Sequence, residues 1–182
     1  MRDRLCRGLL AFAATAIVSA VGPDASAALK LNKGEHICFI GNNLADRMQH
    51  DGYTEAYLQA AFPAHALVIR NLGFCGDRVD HRPRAHKAFG DAHHHLSHSK
   101  ADVIFAFFGY NESFDNKPDD FKKKLTKFLD DAADRKYNGK SAPRVVLFSP
   151  IAHENLNHPS LPTGQANNKR LAAYTKAMEA AA

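Results

Sequence analysis

The sequence predicts an α/β protein, a three-layer α/β/α sandwich on a flavodoxin-like parallel sheet. Three observations carry that reading. Four short runs, 36–41 (HICFIG), 66–71 (ALVIRN), 102–108 (DVIFAFF) and 144–149 (RVVLFS), are almost continuously apolar, as strands are when both faces of a parallel sheet are covered. Segments of helical periodicity lie between them. No repeat, linker or low-complexity block interrupts the alternation, so the 182 residues hold one domain. Strand–helix alternation implies right-handed crossovers and a doubly wound sheet, with strand order 2-1-3-4.

Taken in order, the elements begin with a leader. Arg2, Arg4 and Arg7 precede a mostly apolar stretch over 9–22, and Ala25-Ser26-Ala27 supplies small residues for cleavage before Ala28. A membrane-spanning helix needs about 20 apolar residues. Residues 1–27 therefore read as a signal peptide, the mature protein as 28–182, and its location as secreted or periplasmic, without stable membrane insertion. After the first strand, 44–62 reads as one helix weakened by Gly52 and stopped before Pro63. Residues 83–99 read as a polar helix. In 119–136, Phe121, Leu125, Phe128, Leu129, Ala132 and Ala133 share one helical face, and Leu171, Tyr174 and Met178 repeat that spacing near the C-terminus. The chain stops in helical sequence (AMEAAA), and four strands make a thin sheet. A last strand and helix are thus expected to be missing, the alternative being a naturally short domain.

Composition narrows the classes. Hydrophobic residues make up 45% and charged residues 24%, which excludes a disordered tail, a fibrous repeat and a polytopic membrane protein. Loss of the leader removes three arginines and two aspartates, lowering the net charge from +5 to +4. So weak and scattered a charge excludes nucleic acid as a partner. Lys122-Lys123-Lys124 reads as a solvated helix face. Cys6 leaves with the leader, and Cys38 and Cys75 read as two separate thiols.

Ligands of open α/β sheets bind beyond the carboxyl ends of the strands. That rule selects four loops rich in Gly, Asn and polar side chains: Gly41-Asn42-Asn43-Leu44-Ala45-Asp46-Arg47, Asn71-Leu72-Gly73-Phe74-Cys75-Gly76-Asp77, Gly109-Tyr110-Asn111-Glu112-Ser113 and Pro150-Ile151-Ala152-His153-Glu154-Asn155. Glycine and asparagine also serve ordinary turns, but four such loops on one edge favour a shared pocket.

An apolar strand followed by GNNL, then NLGFCGD, then FFGYNES resembles blocks I, II and III of the SGNH (GDSL-type) hydrolases. The likeness extends over 34–182 and is greatest to a secreted bacterial branch whose first block reads GNTLADRM. The resemblance implies acyl transfer to a serine, with a histidine base and an oxyanion hole. By position, Gly76 would give its backbone N–H and Asn111 its side-chain amide to the oxyanion. Asn42, Asp77, Tyr110, Glu112 and His153 would line the substrate. No cofactor and no metal are implied, and the partner would be a small-molecule or carbohydrate ester.

The serine position of block I falls on Asn43, whose carboxamide is no nucleophile. Ser113, Ser149 and Cys75 lie near the same edge but read as loop hydroxyls and a small side chain. The family's Asp-x-x-His block follows a fifth strand and has no counterpart at that place. The one Asp-x-x-His of this sequence, Asp91 and His94, lies ahead of the third strand, and His153 is the nearest substitute at the carboxyl edge. His93-His94-His95-x-x-His98 places two imidazoles at i, i+4, a metal-binding spacing that lacks a third ligand; a polar helix face is the expected role. Two functions follow: an ester hydrolase, either a carbohydrate deacetylase or a lipolytic esterase, or a non-catalytic module that holds an acylated sugar in the same pocket.

Overall fold

The computed structural model describes residues 29–83 and 89–182. The proposed leader lies outside them. Residues Leu31–Ala182 form one compact unit.

Its centre is a four-stranded parallel sheet, β1 (His36–Gly41), β2 (Val68–Asn71), β3 (Val103–Phe107) and β4 (Arg144–Phe148), in the order β2-β1-β3-β4. This is the expected topology. Registers pair Ile37 with Val103, Gly41 with Phe107 and Phe107 with Phe148. β1 and β3 are the inner strands, and all five residues of β3 are buried. β4 is an edge, half-exposed along its whole length despite the sequence RVVLF.

Alternating strand residues feed two apolar layers. On one face Cys38, Ile40, Ile104, Ala106 and Phe108 pack under α3 (Ala92–His98), α4 (Pro118–Ala133) and α5 (Gln165–Glu179). Phe121, Leu125, Phe128, Ala132, Leu171, Tyr174 and Met178 are buried, as the helical spacing requires. On the other face Ile37, Phe39, Val103, Phe105 and Phe107 pack under α1 (Asn43–Asp51) and α2 (Tyr53–Ala61). Phe39 stacks on Phe105 at 5.4 Å and Phe107 on Phe148 at 4.4 Å between ring centroids.

Three elements differ from the sequence reading. The helix expected over 44–62 is two helices, because Gly52 turns to φ +67 and closes α1 with a bond from its N–H to the Met48 carbonyl. β2 starts at Val68 rather than 66, since Ala66 has left-handed backbone, φ +49, which a strand does not accept. Of the helix expected over 83–99, the structure shows Ala92–His98, started where the Asp91 carboxylate accepts the His94 N–H at 2.7 Å; residues 84–88 lie outside the described part. Among the described residues no helix is long and apolar enough to cross a membrane.

Candidate functional site

All four predicted loops leave the carboxyl edge of the sheet, and three of them are bonded to one another. The Asn42 N–H donates to the Phe107 carbonyl at 3.0 Å, tying loop 1 to the end of β3, and the Phe74 N–H donates to the Gly41 carbonyl at 2.9 Å, tying loop 2 to loop 1. A side chain at Gly41 would run into the Phe107 carbonyl, and φ +120 there suits only glycine. Loop 3 joins loop 2 through two side chains. The Asn111 amide donates to the Asp77 carbonyl at 2.9 Å. The buried Glu112 carboxylate accepts the Val79 N–H at 2.8 Å with one oxygen and the Gly109 N–H at 2.9 Å with the other.

These bonds separate the predicted residues into two sets. Asn42 is buried and caps α1, its Oδ1 accepting the Leu44 N–H at 3.1 Å. Asp77 is buried, with Arg82 Nε 3.7 Å from its carboxylate and the Arg82 guanidinium 4.8 Å above the Phe108 ring. Glu112 has both oxygens on backbone. Those three groups serve the loops' own geometry. Asn111 uses one amide hydrogen on Asp77 and keeps a second. Among the described residues the Gly76 N–H has no acceptor. Asn42, for all its capping role, joins Asn43, Tyr110 and His153 in lining a cleft of about 370 Å³, whereas Gly76 and Asn111 are not part of that lining.

The cleft runs from the start of α1 to loop 4, the connection over 149–164 between β4 and α5, which has no helix or strand. Leu44, Phe107, Phe148 and Ile151 make its apolar wall, with Arg47 and Ser149 at polar positions. His153 is held from both sides of its peptide: its N–H donates to Asn168 Oδ1 at 2.7 Å, and Asn168 Nδ2 donates to its carbonyl at 2.9 Å. Its ring stacks on Tyr110, centroids 5.6 Å apart, and Tyr110 meets the exposed Phe114 edge-on.

The other nucleophile candidates part ways. Ser113 is buried and its hydroxyl donates to the Tyr110 carbonyl at 2.7 Å, which turns it away from a ligand. Ser149 faces the cleft. Cys75 is exposed, and Cys38 is a buried thiol, pushed up to about 12 by burial. On α3 the histidines divide. His93 Nδ1 lies 2.7 Å from the Tyr137 hydroxyl, and burial, then Arg135, holds its pKa below the ordinary imidazole value. His95 rests on Phe89. Among the described residues no group of three or more His, Cys, Asp or Glu is arranged to hold a metal.

Several cleft residues escaped the sequence reading. Phe107 and Phe148 read only as strand interior, and Asn168 read only as helix. Arg47 was already inside the first predicted loop, without a role assigned to it.

No protein-family model matches the chain, and no curated protein matches it in sequence. Solved structures do match in fold. A catalytic mutant of Axe2, an acetylxylan esterase from Geobacillus stearothermophilus, superposes with a TM-score of 0.60 at 16% identity, over 84% of this chain and 74% of that one. LAE5, an alpha/beta hydrolase enzyme from the metagenome of Lake Arreo, gives 0.54 at 15% identity, over 83% and 75%. BT4096, a gut microbial diltiazem-metabolizing enzyme, gives 0.55 at 16% identity, over 84% of this chain and 35% of that one. The chain has the α/β fold of these enzymes, among them an esterase and a hydrolase. At such identities the likeness is one of fold.

Proposed function

We propose that this chain is a secreted SGNH-type hydrolase domain whose carboxyl-edge site receives a small-molecule or carbohydrate ester, as a carbohydrate deacetylase or a lipolytic esterase would. One observation carries the reading. The Asn111 amide, fixed on the Asp77 carbonyl, has an N–H to spare, and the unengaged Gly76 N–H sits one residue before that carbonyl. Both would donate to the ester carbonyl oxygen as it gains negative charge, which needs no titrating group. Secretion rests on the leader pattern of residues 1–27.

Asn43 sets the limit on chemistry. It is the first residue of α1 and lines the cleft where the resemblance places the nucleophile, yet its amide nitrogen does not attack a carbonyl. That observation favours the second reading, a module that binds an acylated sugar or similar ester without turning it over. Ser149 and His153 line the same cleft and are the first suspects for a displaced nucleophile and base.

Binding and hydrolysis of short-chain p-nitrophenyl esters by the purified chain, compared with Asn111→Ala and Asn43→Ser, test both readings. We expect ester binding that Asn111→Ala weakens, with negligible turnover by the unmodified chain. Donors without a nucleophile leave a rate about 10³–10⁴-fold over water in stripped serine proteases, far short of an enzyme. Turnover gained by Asn43→Ser would show a base within the chain and support the hydrolase. Robust turnover by the unmodified chain, lost in Asn111→Ala, would mean a displaced nucleophile. Binding indifferent to Asn111→Ala would remove the site assignment.

A further inference from the structure

The cleft is larger and more apolar than an acetyl group needs. Its volume is about 370 Å³, and a water's share of liquid volume, close to that of a methylene, is about 30 Å³, so roughly a dozen heavy-atom-sized groups fit. An acetyl group fills two or three of those places. The deep wall is hydrocarbon: Leu44 from α1, then Phe107 and Phe148 in a stacked pair, with Ile151 and Ala152 from loop 4. Polar groups, Asn42, Asn43, Arg47, Tyr110, Ser149 and His153, share the lining, and Tyr110 is the chain neighbour of Asn111. This is the arrangement of a ligand pocket, apolar in bulk with a few polar groups that fix orientation.

Loop 4 supports the same conclusion independently. Connections longer than about 12–15 residues without regular structure are uncommon in compact domains and are usually functional. This one has Ile151 63% exposed although it faces the cleft, with Leu156 59% and Leu161 49% exposed farther along. It is nonetheless anchored at His153 by the paired Asn168 bonds. The loop as a whole is mixed in polarity, but Ile151, exposed at the cleft next to the anchored His153, offers an apolar contact to an occupant.

From this geometry we infer that the site selects esters bearing a bulky apolar arm, a medium-length aliphatic or an aromatic group, and that the arm lies between the Phe107–Phe148 pair and loop 4. The inference rests on the ester-site reading above and sharpens its substrate class away from plain acetates. The arm is the acyl group or the alcohol group of the ester; both share the apolar chemistry.

Calorimetric binding to the purified chain distinguishes them. One series keeps p-nitrophenol and lengthens the acyl group from acetate through butyrate to octanoate. The other keeps acetate and lengthens the alcohol from ethanol through butanol to octanol. Burial of a methylene is worth up to a factor of about four in affinity, 0.8 kcal/mol converted at 25 °C. With losses to ordering, octanoate is expected to bind at least tenfold more tightly than acetate in the series whose arm enters the cleft. Ala152→Phe, a filling substitution on an exposed loop, should cut the ratio of long- to short-arm affinity severalfold. Asn111→Ala should weaken every ester of the series by the same factor and leave that ratio in place. A flat response in both series, or a long-arm preference that Ala152→Phe leaves intact, overturns the inference while an Asn111 effect keeps the ester site. A steep, Ala152-dependent preference without any Asn111 effect keeps the apolar pocket and removes the ester site.

Discussion

The carboxyl edge of the sheet has two halves that are held together differently. Over β2, β1 and β3, loops 1–3 are cross-bonded by backbone pairs, Asn42 to Phe107 and Phe74 to Gly41, and by two side chains on backbone, Asn111 on Asp77 and Glu112 on Val79 and Gly109. Loop 4 follows β4, an edge strand half-exposed throughout, and is fixed at His153 by Asn168 on its peptide, Asn167 at its ring and stacking on Tyr110. The first half is built to hold donors still. The second offers apolar volume, bordered by a loop held at fewer points. Preorganised donors stabilise charge because they need no reorganisation when it forms, whereas a pocket for a variable apolar group gains from a compliant wall. In this molecule the two demands are met by different loops on different strands.

The largest expected effect tests the rigid half. Glu112→Ala leaves the Val79 and Gly109 N–H groups buried without an acceptor, and should lower stability by roughly 3–5 kcal/mol in urea denaturation. A loss below about 1 kcal/mol would mean that loops 2 and 3 stay joined without the carboxylate, and the contrast between the halves would weaken. On the other half, Asn168→Ala removes both bonds to the His153 peptide. The expected cost is about 1 kcal/mol, with a larger change in limited proteolysis, where cleavage within 150–164 should accelerate severalfold ahead of any cleavage in the sheet. Equal acceleration everywhere would show that loop 4 is not a separately held unit.

The smallest effect lies away from the edge and serves as its control. His93 has a folded pKa below its ordinary value, so the unfolded chain binds the proton more readily. Its contribution to stability is complete above about pH 6.5 and is lost as pH falls through the lower folded value. The melting temperature should therefore decline between pH 7 and pH 5, and His93→Gln should flatten part of that slope without altering ester binding. An unchanged slope in the variant would assign the acid sensitivity to other histidines.

The sheet was legible because each strand is a short, nearly unbroken apolar run, and continuous burial on both faces leaves few other interpretations for HICFIG or DVIFAFF. Helix α4 was legible for the complementary reason, an apolar stripe carried by Phe121, Leu125, Phe128 and Ala132. Boundaries were harder where one backbone angle decides them. Gly52 is tolerated in a bent helix or breaks it in two, and Ala66 gives no hint of positive φ. The candidate site was legible as loops and as types of residue, but not as directions. Asn42 and Glu112 have the chemistry of ligand-binding groups, and in the structure they bond inward. Glu112 is 33 positions from Val79, and no local pattern announces a partner that distant. Phe107 and Phe148 were visible as strand residues, but their place in a cleft wall depends on β4 being the edge, a fact of strand order rather than of their own neighbourhood.

The two described thiols give the protein a built-in pair of clocks. Cys38 lies in the central strand at 0% exposure, while Cys75 stands exposed beside Gly76. In a chain with Cys6 replaced by alanine, an alkylating reagent would reach Cys75 at once and Cys38 only when the helical layer over that face of the sheet opens. The fast reaction attaches a dye at the rim of the candidate site, where an arriving ligand would change its emission. The slow reaction counts openings of that layer, so the ratio of its rate to that of the unfolded chain yields the free energy of opening. One reagent added to one sample then reads both occupancy of the edge and integrity of the core.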